Sequence, residues 1–220
     1  MSVTILIPTY NRFKFSELIS LNINLQTYPL IKEIIIGDDG NQDERLNIKC
    51  KYSVLYFIVP KMSIGAKRNY LKSKATTEYL IHMDTDDFYN PDYISNCIFN
   101  LLKHGKQLTG SSDMLMINSK NLSCYNQSCI YMNLLNEATL CYTKEYSNKN
   151  NFSNNMSSEG IIFCKCEDII ETPIEDIMIC ITHDENTVSK NSWLIKEYEH
   201  NIDLTNYKNH LEILSNIFIS

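Results

Sequence analysis

Four short apolar runs rich in β-branched residues, separated by segments of helical period, fill the chain up to Met83 and restrict its fold more than any other feature. The first, "VTILIPTY", is closed by Pro8. From Phe13 to Gln26 apolar residues recur at Phe15, Leu18, Ile19 and Leu25 with polar residues between them, which is the spacing of a helix lying on a sheet. "IKEIIIGDDG" predicts a short buried strand ending in a tight turn, "YSVLYFIVP" a third strand stopped by Pro60, "IGAKRNYLKSKA" a second helix and "EYLIHM" a fourth strand. Strands joined by helices pair in parallel through right-handed crossovers, so the pattern predicts an α/β fold with a mostly parallel central sheet flanked by helices.

The remainder is less regular. Asn118 to Ser158 is rich in Asn, Ser, Tyr and Cys, contains "SNKNNFSNNMSS", and reads as a long loop of the kind that serves as a lid or binding element. An apolar patch, "EGIIFCKC", the acidic "ETPIEDIMICITHDENTV" and a helix-like run from Leu204 to Phe218 follow. With 220 residues, 44% of them hydrophobic, the chain can bury one substantial core, which predicts a single domain over 1–220 with a regular half, 1–110, and an irregular half, 111–220.

Charge and composition exclude several partners. Twenty basic residues against 26 acidic ones give a net charge of −6 without a basic block, which argues against nucleic acid or an anionic membrane surface. No apolar stretch approaches the roughly 20 residues that span a bilayer, and "MSVTILIPTYNR" lacks the plan of a secretory signal, so the expectation is a cytoplasmic protein without a transmembrane segment. Eight scattered cysteines, including Cys124, Cys129, Cys164 and Cys166, lack zinc-knuckle spacing and read as reduced thiols. Trp193 and the tyrosines read as core or loop anchors.

In open α/β sheets ligands sit beyond the carboxyl ends of the strands. Here those ends carry Thr9-Tyr10-Asn11-Arg12, Asp38-Asp39 and Asp84-Thr85-Asp86-Asp87. Adjacent carboxylates repel and resist desolvation, so the last cluster needs a compensating partner. A D-x-D pair, Asp84 and Asp86, can hold Mg²⁺ or Mn²⁺ through one or two carboxylates and leave positions for diphosphate oxygens; a solvated Asp-rich turn is the plain alternative. At the start of the second predicted helix, Gly65 permits close backbone approach, and Lys67 or Arg68 can pair with a phosphate oxygen or a rim acid. Asp38 and Asp39 can accept hydrogen bonds from a base or ribose, or merely close a tight turn. The first strand ends in Pro-Thr-Tyr-Asn-Arg instead of a G-x-G-x-x-G loop, which argues against a nicotinamide or flavin dinucleotide.

Together "ILIPTYNR", "IIIGDDG", "IGAKRN" and "YLIHMDTDDFYNPDYI" resemble, in order and spacing, the family 2-like glycosyltransferases of GT-A fold, over roughly residues 2 to 100. The resemblance implies a nucleotide-sugar-binding half, 1–110, and an acceptor-binding half, 111–220. It places Thr9, Tyr10 and Asp39, with Asp38 beside them, on the nucleotide base and ribose, most often uridine. Arg68 falls on the base or diphosphate, Asp84 and Asp86 on ribose and metal, and Asp87 on the acid that follows. "ETPIEDIMICI" looks like the family's Glu-Asp motif, which makes Asp176 or Glu175 the general base, and "ITHDENTVS" resembles a His-x-x-Asn-Thr stretch in which His183 is an additional metal ligand.

The implied activity is an inverting, Mn²⁺- or Mg²⁺-dependent transfer from a UDP-sugar to a glycan, lipid or protein acceptor, with a homodimer left open. Two rivals remain at this level. A nucleotidyltransferase acting on a sugar phosphate has the same broad fold but uses a Gly-rich basic loop absent here, and a non-catalytic nucleotide-sugar or glycan-binding module would keep the rim without turnover.

Overall fold

A computed structural model describes residues 1–127, 134–164, 169–186, 190, 194 and 198–218; Cys129, Cys166 and Trp193 lie outside the described residues. The predicted strands are β1 (Val3–Thr9), β2 (Ile31–Asp38), β3 (Ser53–Ile58) and β4 (Tyr79–His82), and the helices between them are α1 (Ser16–Leu25) and α2 (Ile64–Lys74). Then come β5 (Phe88–Tyr89), α3 (Tyr93–His104), β6 (Leu108–Gly110), β7 (Met114–Asn118) and β8 (Cys124–Gln127). After these the chain forms β9 (Cys141–Thr143), α4 (Lys144–Lys149), α5 (Gly160–Phe163), β10 (Ile169–Glu171), β11 (Met178–Thr182) and α6 (Lys208–Phe218).

A seven-stranded sheet has the order β10-β6-β9-β4-β1-β2-β3, and only β9 runs against its neighbours. A four-stranded sheet has the order β5-β11-β7-β8. Both faces of the central strands β1, β2 and β4 are covered, which is why they read as continuous apolar runs, whereas the edge strand β3 is largely exposed. Ile5, Ile7, Ile34 and Ile36 face one core with Phe15, Leu18 and Ile19, while Leu6 and Ile35 face another with Leu71 and Ala75. The two-residue period of a strand sends alternate residues to opposite faces.

The long loop expected over Asn118 to Ser158 is instead built around β8, β9 and α4. β9 is three residues long and lies between two strands, so it has no room to show a period, and α4 is a single short helix whose signal is Thr143, which caps it by accepting from the Tyr146 N–H at 3.1 Å.

One buried polar group anchors α1 to the region that follows the acids. The Asn22 amide donates to the Asp87 carbonyl at 2.8 Å and accepts from the Tyr89 N–H at 3.0 Å and from His210 Nε2 at 3.0 Å. Burial holds the His210 imidazole down at about 4, so it is neutral in the folded chain and charges readily when unfolded. Its contribution to stability is therefore complete above the unfolded value near 6.5 and is lost as the pH falls towards and through about 4, a loss of about 3 kcal/mol. Urea titrations across this window should show that loss in the wild type and a shallower slope in His210→Gln.

Candidate active site

Because β1, β2 and β4 run parallel, their carboxyl ends open on one edge. The cavity there has a volume of about 760 Å³, within the roughly 300–1,000 Å³ of small-ligand sites. Pro8, Thr9, Tyr10, Asn11, Arg12, Asp39, Lys67, Arg68, Asp84, Thr85 and Asp86 all line it. Asp38, Gly65, Glu175 and Asp176 do not, and His183 stands just behind Asp86.

At the β1 and β2 end the polar groups are held rigidly. Lys67 donates to the Thr9 carbonyl at 2.7 Å and forms an ion pair with Asp39, whose second oxygen accepts from the Met62 N–H at 3.1 Å. Burial lowers the Lys67 pKa, and Asp39 works against that shift. The Tyr10 ring is exposed and carries Lys61 Nζ 3.2 Å from its centre. Thr9 is buried, and its Oγ1 has no hydrogen-bond partner among the described residues. A buried hydroxyl left unpaired at the wall of a polar cavity is positioned for a ligand. Asp38, by contrast, accepts from the Gly40 N–H at 2.8 Å and from the Tyr56 hydroxyl, so it closes the turn after β2 instead of facing the cavity.

Gly65 also serves a purpose other than the one expected. A Cβ there would lie 1.7 Å from the Ser153 carbonyl oxygen, and the Gly65 N–H donates to Asn155 O at 3.3 Å. The Ala66 N–H is taken by Ser63 Oγ at 3.2 Å. The glycine thus admits the 153–159 segment to the start of α2 and does not cradle an anion. Gly65→Ala should displace that segment and cost about 1–3 kcal/mol, measurable by chemical denaturation.

The acids after β4 have three cationic neighbours. Arg68, buried, donates from Nε to Glu159 at 2.9 Å, from one terminal nitrogen to His82 Nδ1 at 2.7 Å and from the other to Asp84 at 3.3 Å. Burial opposes the charge of Arg68, but Asp84 and Glu159 overcome it and raise its pKa. Because His82 accepts at Nδ1, it donates from Nε2 to the Tyr142 hydroxyl at 2.8 Å, and burial together with Arg68 keeps it neutral. Arg12 lies 3.6 Å from Asp86, and Lys190 stands beneath Asp86 and Asp87, donating to Cys180 Sγ.

Burial raises Asp84 and pushes Asp87 up to about 7. It works against the charge on Asp86 as well, but the hydrogen bond from His183 and the nearby Arg12 outweigh it and hold that carboxyl at about 2. Asp86 is therefore the member of the cluster whose charged form its surroundings favour.

The carboxylates suit a hard cation completed by substrate oxygens, since Asp84 and Asp86 both face the cavity and Asp86 is ionised. Among the described residues no three acidic, histidine or cysteine side chains close a cage of their own. His183 Nε2 is 3.0 Å from Asp86 Oδ2, while its Nδ1 accepts from the Glu185 N–H at 3.2 Å. That second bond puts the ring proton on Nε2, so His183 orients Asp86 as it stands; ligation from Nε2 requires the Glu185 bond to break. Asn186 shapes this turn, accepting from the His183 N–H at 2.7 Å and donating to Ile181 O at 3.2 Å.

Glu175 and Asp176 cannot share the rim with His183. The five-residue strand β11 separates them, which is about 17 Å of extended chain. β11 pairs Met178 with Tyr89 and Ile179 with Phe88, so its far end lies near α3, where the carbonyls of Glu175 and Asp176 accept from the side chains of Asn90 and Asn96 at 3.1 Å each. Both side chains are exposed. Neither residue of the pair expected to supply the general base therefore lines the cavity.

The cavity is also lined by residues that the sequence reading passed over: Asn136 and Glu137 from a turn before β9, Glu159 from the start of α5, and Lys190. Glu137 and Glu159 are isolated acids in irregular stretches, and Lys190 belongs to no motif. Only the spacing of His183 and Asn186 gave a signal.

Residues 4–156 match the profile of the family described as Glycosyl transferase family 2. The poly(ribitol-phosphate) beta-N-acetylglucosaminyltransferase TarS of Staphylococcus aureus is 26% identical over 163 residues, 66% of this chain and 27% of TarS. Glycosyltransferase GlyA of Streptococcus pneumoniae is 24% identical over 159 residues, 69% of this chain and 21% of GlyA. The chain thus spans about a quarter of the length of these relatives. The crystal structure of S. aureus TarS 1–349 in complex with UDP-GlcNAc superposes with a TM-score of 0.61 at 16% identity, covering 100% of this chain and 67% of that one. A mannosyltransferase from Pyrobaculum calidifontis in complex with GDP-Man and Mn²⁺ gives 0.57 at 12% identity, covering 87% and 58%. These likenesses show the GT-A fold.

Proposed function

The chain belongs to glycosyl transferase family 2, and from that membership we propose that it moves a sugar from a UDP-sugar to an acceptor hydroxyl in one displacement that inverts the anomeric carbon. The observation that carries this reading is the single cavity in which the unpaired Thr9 hydroxyl, the clamped Asp39 and the ionised Asp86 converge. In this reading Thr9, Tyr10 and Asp39 receive the nucleoside, and Arg12 and Arg68 add positive charge on the diphosphate side. Asp86 and Asp84 would hold Mn²⁺ or Mg²⁺, which when bound supplies Lewis-acid stabilisation of the departing diphosphate. UDP is favoured as the nucleotide because TarS, a relative by sequence as well as fold, is solved with UDP-GlcNAc.

The acceptor in this proposal is a hydroxyl-rich glycan or polyol polymer, the class that the name of TarS describes. Among the described residues no helix is long and apolar enough to cross a membrane, and Cys50, Cys97, Cys124, Cys141 and Cys180 are thiols, which suits a reducing, cytoplasmic compartment. The test is UDP release from UDP-GlcNAc, UDP-glucose and UDP-galactose with Mn²⁺, followed by NMR of the product. Release with inversion at the anomeric carbon is expected. UDP binding without release from any donor would instead identify a non-catalytic nucleotide-sugar-binding module.

A further inference from the structure

We infer that Glu137 is the catalytic base of this site, the group that takes the proton from the attacking hydroxyl. The inference rests on the proposed sugar transfer and supplies the residue which that reaction lacks once Glu175 and Asp176 are seen to lie outside the cavity. A single displacement forms a bond between the acceptor oxygen and the anomeric carbon while the bond from that carbon to the β-phosphate oxygen breaks. The electron pair leaves on the diphosphate, and the acceptor's proton passes to a carboxylate.

The other acids of the cavity are committed. Asp39 is paired with Lys67, Asp84 and Glu159 with Arg68, and Asp86 with His183 and Arg12. Asp87 accepts from the Ile181 N–H at 2.9 Å and faces Lys190, and Glu185, exposed, is paired with Lys14. Glu137 forms no ion pair among the described residues. One of its oxygens, Oε1, accepts from the Gly160 N–H at 2.9 Å, and the side chain lines the cavity.

Its position is built. Tyr89 bolts the turn that carries Glu137 to the acidic loop, its hydroxyl accepting from the Asp84 N–H at 2.8 Å and donating to Ala138 O at 3.1 Å. Asn136 Oδ1 caps the same turn at the Ala138 N–H, 3.1 Å away, and Thr139 Oγ1 ties it to the Ser111 N–H at 2.9 Å. A Cβ at residue 160 would meet Glu137 Cγ at 2.8 Å and Oε1 at 2.9 Å, so glycine there leaves the room that the carboxylate fills. Burial and the neighbouring Glu159 raise the Glu137 pKa, with the Gly160 N–H and Arg68 opposing, which moves this acid towards the range in which a base both accepts and releases protons.

Glu137→Gln keeps an oxygen for the Gly160 N–H and removes the basicity, so it separates catalysis from the capping of α5. With water as the acceptor and UDP-GlcNAc, UDP-glucose and UDP-galactose as donors, kcat for UDP release should fall about 10²-fold or more. UDP affinity and melting temperature should hold, and the acid limb of the wild-type pH profile should become shallower, the part that remains coming from Asp84 and Asp87. Glu137→Asp should retain part of the rate and the limb. A Glu137→Gln protein with wild-type kcat, or one losing donor affinity in place of kcat, overturns the assignment while the transfer reading stands; so does loss of rate in Asp176→Asn with Glu137→Gln active. Absence of UDP release by the wild type from every donor overturns the transfer reading and the assignment with it.

Discussion

Asp86→Ala should lower UDP release from a UDP-sugar in Mn²⁺ by about 10²–10³-fold or more, the range seen when one element of charge stabilisation is removed from an active site. Asp86 is the acid of the cluster held ionised, at about 2, by His183 and Arg12 against the pull of burial. Its carboxylate faces the cavity, and in the proposed reaction its loss removes a ligand that would hold the cation where negative charge develops on the leaving diphosphate. The fold should survive, because the substitution also relieves the repulsion that Asp86 exerts on Asp84 and Asp87. Steady-state UDP release together with a thermal melt decides the matter: an unchanged melt with the rate lost is expected, and a variant keeping more than about a tenth of the rate would contradict the role assigned to Asp86.

The largest effect on stability is expected at Arg68. Truncation to alanine removes one buried cation from two acids and one imidazole, leaving Glu159 buried with an uncompensated charge, Asp84 without its guanidinium and His82 Nδ1 without a donor. Breaking a buried pair in this way costs about 3–5 kcal/mol. In a chain of this size that is a fall in melting temperature of roughly 10 °C or more. Arg68→Lys should recover only part of the loss, since one ammonium group cannot reproduce the three directed nitrogens that meet Glu159, His82 and Asp84. Urea denaturation of the three proteins measures the series, and a loss below about 1 kcal/mol in Arg68→Ala would show that the cluster relaxes around the missing charge.

Much of the scaffold could be read in advance because it is local. β1, β2 and β4 are almost wholly buried and so remain mostly apolar, while β3 is apolar although it is a largely exposed edge strand, and the polar residues that stop β1, β2 and β4 lie at the carboxyl ends where a parallel sheet opens. That logic put Thr9, Arg12, Asp39 and Asp86 at the cavity edge, and the start of the second helix added Lys67 and Arg68. It could not separate Asp38 from Asp39, because adjacent residues in a turn point to opposite sides and only the contact with Tyr56 shows which one turns inward. Nor could it place Glu175 and Asp176, whose acidic pattern is just as good a first turn of 3-10 helix at the far end of β11. Glu137, Glu159 and Lys190 reach the site through tertiary contacts of short, irregular segments, and neither period nor spacing distinguishes them from surface charges.

The acids after β4 are answered in the structure by Arg68, Arg12 and Lys190, so a metal-bridged nucleotide is an added claim, and it can be tested without knowing the sugar or the acceptor. Ligand that binds only the folded state stabilises it by about 2.7 kcal/mol at a concentration one hundred times its dissociation constant. The most direct measurement is therefore the melting temperature of the full chain titrated with UDP, and with GDP, CDP, ADP and TDP for comparison, each with and without Mn²⁺. The account predicts that UDP raises the melting temperature above the effect of the other nucleotides, and more strongly with Mn²⁺ in the wild type than in Asp86→Ala. A melt unmoved by every nucleotide under both conditions would contradict it.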